Sequence, residues 1–191
     1  YQAMSRGDVP MSEFWFNRGD RNRGFAKHAS SVSHTLAKPV TAAESFTADN
    51  KGSGWWTHPF ALKPYGDVAF ASGVNRFIIH TWPHQPWPGL RPGVTFGPWG
   101  INFTGHNSWF EQAQAWTDYL SRCQFILQQG RLQADVAIFT GERAPNNGGN
   151  REHAESEGIP AGIDYDYLNA EVLAEATVKN GRIMLPSGMH Y

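Results

Sequence analysis

Two glutamates stand at the ends of strand-like runs, where a charge needs a reason. Glu13 opens SEFWF (12–16), and Glu44 sits near the close of VTAAESF (40–46). A buried carboxylate is costly unless it is paired or hydrogen-bonded, so an apolar run seldom carries one idly. Paired carboxylates across the mouth of a parallel barrel are what glycoside hydrolysis uses. One protonates the leaving oxygen while the other activates water or attacks the sugar, at about 6.5–9.5 Å for inversion and about 5 Å for retention. The structural alternative is a Glu that caps a loop amide or pairs with Arg18 or Arg76. Both readings stand at this level.

A second group of candidates lies in GVNRFIIHTWPHQPW. His80 ends an apolar strand, and Trp82, His84 and Trp87 follow directly. Aromatic faces stack on the apolar faces of sugar rings, and imidazoles bind hydroxyls. Trp15, two residues past Glu13, joins them as a candidate substrate-binding residue. His80 and His84 are four apart, as in a helical zinc pair, but Pro83 between them breaks the helix such a pair uses, and no Cys is nearby. The structural alternative for His80 is a core histidine bonded to a backbone carbonyl. The Trp-rich stretches KGSGWWTHPF and GPWGINFTGHNSW either line a cleft or pack loops onto its rim. Glu142 ends ADVAIFTGE at a similar strand-end position and reads as loop structure.

These residues need elements to hold them. Strands are predicted at 12–16, 40–46, 76–82 and 134–140. Helices are predicted in KHASSVSHTLAKP, stopped before Pro39, and in FALKPYGDVAFASG, ending near Gly73. The longest runs from Trp109 to Gln129, with an apolar stripe through Ala113, Trp116, Leu120, Cys123 and Leu127. Its SWFE start predicts a capping box between Ser108 and Glu111, and Gly130 is placed for a left-handed C-cap. Alternating strands and helices imply parallel strands with crossover helices, an α/β architecture. The joins 17–27, 47–59 and 83–107 read as long loops after strand C-termini, the end where parallel α/β folds build sites. Beyond Glu142 the chain turns polar and Gly/Pro-rich, then DYDYLNAEVLAEA reads as a helix and GRIMLP as a strand. The expected division is 1–130 and 131–191.

The totals exclude several classes. A net charge of −1 over 191 residues leaves no basic footprint for nucleic acid. No apolar run approaches the roughly 20 residues of a spanning helix. One cysteine, Cys123, cannot form an internal disulfide. The chain starts at Tyr1 and stops just after a strand-like run, so it is read as an internal piece of a longer protein.

Taken in order, VPMSEFWF, TAAESFTA, LKPYGDVAFASGVNRFIIHTWPHQP, SWFEQAQAWTDYLSRCQFILQQG, DVAIFTGE, GIDYDYLNAEVL and GRIMLPSGMHY span nearly the whole chain. This ordered series resembles glycoside hydrolase family 106, the α-L-rhamnosidases. The resemblance implies a large, multidomain, inverting enzyme on a (β/α)8 TIM-type barrel, exported by bacteria to the periplasm or beyond and degrading rhamnose-containing glycans. It implies that residues 1–130 are the last three β/α units of that barrel and 131–191 the start of a following α/β domain. Glu44 and Glu13 map onto active-site glutamates, and His80 onto the last barrel strand. A Ca2+ ion helping to hold the sugar is implied too, with no ligand assigned. Glu44 is then the general base, and Glu13 its acid partner or a ligand to ion and sugar. The partners expected are a carbohydrate substrate and the rest of the parent chain. Two rivals remain: a non-catalytic carbohydrate-binding module using the Trp-rich loops, and a barrel glycosidase of other specificity, such as a β-galactosidase-like one.

Overall fold

Three parallel strands carry the first sheet: β1 (Met11–Trp15), β2 (Ala42–Thr47) and β3 (Arg76–Ile79), in the order β1-β2-β3. The computed structural model describes residues 1–16, 18–49, 54–142 and 158–191. A short α1 (Gln2–Ser5) precedes the sheet. Between the strands run α2 (Gly19–Thr35) and α3 (Pro59–Ala71), and α4 (Gln114–Leu127) follows β3 after a long loop. The expected strand–helix alternation and the parallel pairing are both present. A closed barrel is not seen among the described residues.

One face of this sheet is packed by the helices. Phe14, Ala43 and Phe77 project from β1, β2 and β3 into a core shared with Ala26 of α2, Leu62, Ala69 and Phe70 of α3, and Trp116 and Leu120 of α4. The Phe70 ring stacks on Phe77 at 4.3 Å, and Phe14 meets Phe46 edge-on at 4.8 Å. Each buried aromatic removes about 150–250 Å² from water, so these rings dominate the sheet–helix contact.

A second, two-stranded parallel sheet pairs β4 (Val136–Phe139) with β5 (Tyr165–Leu168). It is followed by α5 (Ala170–Ala174) and an antiparallel pair, β6 (Thr177–Lys179) and β7 (Arg182–Met184). Helix α2 touches both sheets, β1 on one side and β5 on the other. That double burial explains its small residues, with Ala26, Ala29, Ser30, Ser31 and Ser33 all buried. The hydroxyls are satisfied within the fold: Ser31 donates to the Lys27 carbonyl at 2.7 Å, and Ser30 reaches the Ser72 carbonyl at 2.8 Å. At Gly73 (φ +95°) a Cβ would stand 2.5 Å from the Ser30 Cβ, so only glycine lets the chain after α3 pass this helix.

Four expectations need correction. Helix α2 begins at Gly19, not near Lys27, so the first strand-to-helix join is short. The polar run RGDRNRG reads as a loop, but Asn22 in the first turn accepts from the Trp15 amide at 2.8 Å and donates to the Trp15 carbonyl at 2.6 Å. That two-point clasp ties the helix to the strand end and overrides weak local propensity. Ser108 and Glu111 form no capping box, because residues 111–113 make a 3-10 turn before α4 and neither start carries a side-chain cap. Helix α4 ends in right-handed geometry at Gln128, so Gly130 is not its C-cap. The run DYDYL is strand β5, paired in register with β4, and only Ala170–Ala174 is helical.

Candidate active site

Alternation along the strands sorts side chains to opposite faces. Since Phe14, Ala43 and Phe77 face the helices, their neighbours Glu13, Glu44 and Ile78 face the other way. Glu13 pairs with Glu44 in β-ladder register, and Glu44 with Ile78. The two glutamates are therefore direct neighbours on one face, across strands about 4.8 Å apart.

Just past Glu44 the register slips. From Glu13 to Trp15, β1 advances two residues while β2 advances three, from Glu44 to Thr47. The extra residue is a β-bulge, and Phe46 carries it at φ +62°, a region aromatic residues rarely enter. The bulge sends Phe46 into the helix-side core, where it meets Phe14, Phe77 and Trp116. It also brings Thr47 round to the glutamate face. The Thr47 hydroxyl donates to Glu44 Oε1 at 2.5 Å.

The two glutamates have different ring neighbours. Glu13 Oε1 accepts the Trp15 indole N–H at 3.0 Å. Glu44 Oε1 lies 3.5 Å from His80 Nδ1. That approach is within ion-pair distance but lacks hydrogen-bond geometry, and His80 Nδ1 is buried with no hydrogen-bond partner. A core histidine bonded to a carbonyl through this nitrogen is thus not what the structure shows. The Glu44 side chain is 37% exposed, and Glu13 is half-buried. Neither is paired with Arg18, whose guanidinium instead pairs with Asp49 at 3.4 Å and lies 4.2 Å over the Trp15 ring.

The long loop after β3 closes over the strand ends. The Gly100 amide donates to the Ala48 carbonyl at 2.9 Å, Ile101 to His80 at 3.0 Å, and Phe103 to Thr81 at 2.9 Å. Gly100 (φ +89°) passes so tightly that a Cβ would stand 3.0 Å from the His80 carbonyl oxygen. This crossing holds the turn Phe96–Trp99, closed by a Trp99 amide to Phe96 carbonyl bond of 3.2 Å. Phe96 meets His80 edge-on at 5.5 Å, and Trp99 meets Trp15 edge-on at 5.7 Å.

The sequence candidates separate accordingly. Glu13, Glu44, His80 and Trp15 come together in one constellation. Trp82 is exposed, with its ring edge on Phe103 and Phe110, so part of its role is to anchor the loop. His84 fixes the loop through main-chain bonds with Val94, and its side chain and Trp87 are exposed. The stretch GPWGINFTGHNSW does both expected things: Trp99 reaches the Trp15 ring, while Phe103 packs against Trp109 and Trp116. The stretch KGSGWWTHPF lies in part outside the described residues. Glu142 accepts from the Ala170 amide at 2.9 Å, a loop-to-helix tie as expected. Thr47, Phe96 and Trp99 come to the glutamates only through the bulge and the turn, which no local sequence pattern marks.

Calcium takes six to eight oxygen ligands. No group of three or more His, Cys, Asp or Glu able to hold a metal occurs among the described residues. The described residues thus show no carboxylate cluster that would hold calcium by itself. No described helix is long and apolar enough to cross a membrane.

Known proteins give this geometry a context. A relative from Formosa agariphila named "Putative beta-glucuronidase" is 40% identical over 190 residues, which are 100% of this chain and 16% of that protein. The solved rhamnosidase of Novosphingobium sp. PP1Y superposes with a TM-score of 0.85 at 34% identity, covering 98% of this chain and 18% of that one. The chain thus spans under a fifth of either relative's length. The family model for alpha-L-rhamnosidase matches residues 1–191 in full, and the chain belongs to that family, glycoside hydrolase family 106.

Proposed function

We propose that this chain supplies part of the active site of a glycoside hydrolase acting on α-L-rhamnosides, with Glu44 as general base and Glu13 as acid partner or sugar ligand. The observation that carries it is the register pairing of Glu13 with Glu44, both in mid-strand, on the sheet face opposite the helices. An acid–base pair must share one cleft, and adjacent register positions on one face support that reading. Family membership and the likeness to a solved rhamnosidase support the substrate class.

In this reading Glu44 draws a proton from water that attacks the anomeric carbon, while the acid gives a proton to the leaving oxygen; inversion is implied by the family resemblance, not by the strand spacing. Thr47 fixes one oxygen of Glu44 and leaves the other for water. Trp15 holds Glu13 in the same way. His80, Trp82, His84 and Trp87 are assigned to sugar contact. Residues 1–130 are the last three units of a (β/α)8 barrel whose other strands lie elsewhere in the parent chain. A Ca2+ ion that helps to hold the sugar would take ligands from beyond the described residues. Secretion or a periplasmic location is part of the same proposal.

The test uses the intact parent protein with an aryl α-L-rhamnoside and calcium, following the anomer released by NMR. First release of the inverted anomer supports the reading, and release of the retained anomer overturns the assigned roles. Turnover of aryl β-glucuronides but not rhamnosides would overturn the substrate class. Residues 1–191 alone are expected to show no turnover, because a complete barrel needs about 200–250 residues.

A further inference from the structure

The turn Phe96–Trp99 stands out because its two ends reach the two glutamates by separate routes. At one end, Phe96 packs edge-on to His80 at 5.5 Å, and His80 Nδ1 lies 3.5 Å from Glu44 Oε1. At the other, Trp99 packs edge-on to Trp15 at 5.7 Å, and the Trp15 indole donates to Glu13 Oε1 at 3.0 Å. One four-residue turn thus braces both rings that touch the glutamates. The turn is itself held by the Gly100, Ile101 and Phe103 amides, bonded across the ends of β2 and β3.

We propose that Phe96 and Trp99 are positioning residues that set the separation and aim of Glu44 and Glu13 through His80 and Trp15. This rests on the catalytic reading of the two glutamates given above. The physical case is that each glutamate keeps few partners. Among described residues Glu44 has Thr47 and the near approach of His80, and Glu13 has the Trp15 indole. A carboxylate held by one or two groups follows any ring that moves beside it. His80 makes no hydrogen bond through Nδ1, so its orientation rests on packing, and Phe96 is the ring it packs on. Trp15 is gripped from two sides, by the Trp99 ring and by the Arg18 guanidinium at 4.2 Å. Both Phe96 (66% exposed) and Trp99 (38% exposed) remain open on their outer faces, so neither is placed merely to fill a core. Misplacement of catalytic groups by about 1 Å can lower rate on the order of 100-fold.

The test measures kcat and KM for an aryl α-L-rhamnoside in the parent protein, with Phe96→Ala, Trp99→Ala, Phe96→Tyr and Trp99→Phe. Each alanine variant is expected to lower kcat about 10- to 100-fold with KM within about threefold, the pattern of lost transition-state geometry. The Tyr and Phe variants, which keep a ring edge, should recover most of kcat. Trp99→Ala in a Trp15→Phe background should add less than about threefold, since the route is already cut. Val178→Ala, at a 79% exposed residue in β6, is the control and should leave kcat unchanged. A rise in KM alone would make the turn a sugar-binding wall and overturn the proposal. So would unchanged kinetics, or full additivity with Trp15→Phe. A wild-type parent inactive on rhamnosides would instead remove the catalytic reading, and the positioning role with it.

Discussion

The two parallel sheets each carry a carboxylate in mid-strand, and they treat it in opposite ways. In β5, Asp166 is fully buried and surrounded: His34 Nδ1 lies at 2.9 Å, the Tyr191 hydroxyl donates at 2.9 Å, and Lys27 Nζ stands 3.9 Å away. Lys27 also pairs with Asp164 at 2.8 Å. In β2, Glu44 is over a third exposed, with one hydroxyl donor and a histidine that approaches without bonding. A charge taken out of water must be paired and bonded on every side. Asp166 meets that demand and is buried beyond the reach of a ligand. Among the described residues Glu44 keeps one oxygen without a partner and water within reach, as the proposed base role requires. Satisfaction marks a carboxylate that holds the fold together, and its lack marks one available for chemistry.

The contrast can be tested from its strongest consequence downward. Glu44→Gln in the parent protein should lower turnover at least about 1,000-fold, leaving sugar affinity by calorimetry within about threefold. Retained turnover would place Glu44 with Asp166 as a structural group. Conversely, Asp166→Ala should destabilise its region by about 3–5 kcal/mol, because it leaves His34 and the Tyr191 hydroxyl without their buried acceptor. Hydrogen exchange in peptides from α2 and β5 measures this, and unchanged protection there would break the comparison. Glu44→Gln should leave the same peptides unaffected.

Alkaline pH should also act on the buried side, as well as on Tyr119 of α4, whose phenol is raised to about 12 by burial. Burial foremost, and then the Asp166 charge, raise the Tyr191 phenol above its usual range. Burial raises Tyr1 to about 12, beside its bond to Thr35. Both phenols are neutral in the fold, so their stabilisation is full below the ordinary tyrosine value of about 10 and fades as pH climbs past it. Protection of α2 and β5 should fall from about pH 10 upward, and Tyr191→Phe should flatten that fall. A pH-independent profile would mean that these hydroxyls are already wet. A smaller effect is expected at Thr47→Val, where losing the hydroxyl on Glu44 should lower kcat about tenfold with little change in stability. Arg18→Ala should be weakest of all for stability, within about 1 kcal/mol, because its pair with Asp49 is partly exposed.

The helix-facing half of this molecule was legible in the sequence because repetition wrote it there. Three strand-like runs in alternation with helical stripes gave the parallel sheet, and Glu13 and Glu44 stood out as charges among apolar residues. What stayed hidden depends on contacts between distant segments. The run DYDYL carries no β-branched residue, and its two Asp suggest solvent, so β5 looked like a helix start. Its burial under α2 is a tertiary fact, and Asp166 went unnoticed with it. Asn22 likewise reads as loop until Trp15 is beside it. For the site, sequence could name His80 and Trp15 by position, but not Phe96 and Trp99. Their importance arises from a turn whose ends meet rings roughly 16 and 84 residues away in the chain, a relation that no local pattern records.

The bulge at Phe46 has a consequence for how this strand can vary. Counting side chains by twos works from Ala42 to Glu44, and then the extra residue resets the parity. The same short strand can therefore lend a ring to the helices and a hydroxyl to its own glutamate, although uninterrupted pleating would put Thr47 on the helix side. Any exchange of the loop after β2 between family members inherits that reset. A graft joined upstream of Phe46 from a strand without the extra residue would deliver every following side chain inverted, sound in composition and wrong in handed-out position. A junction placed after Thr47 keeps the count, and loops of very different length can follow it.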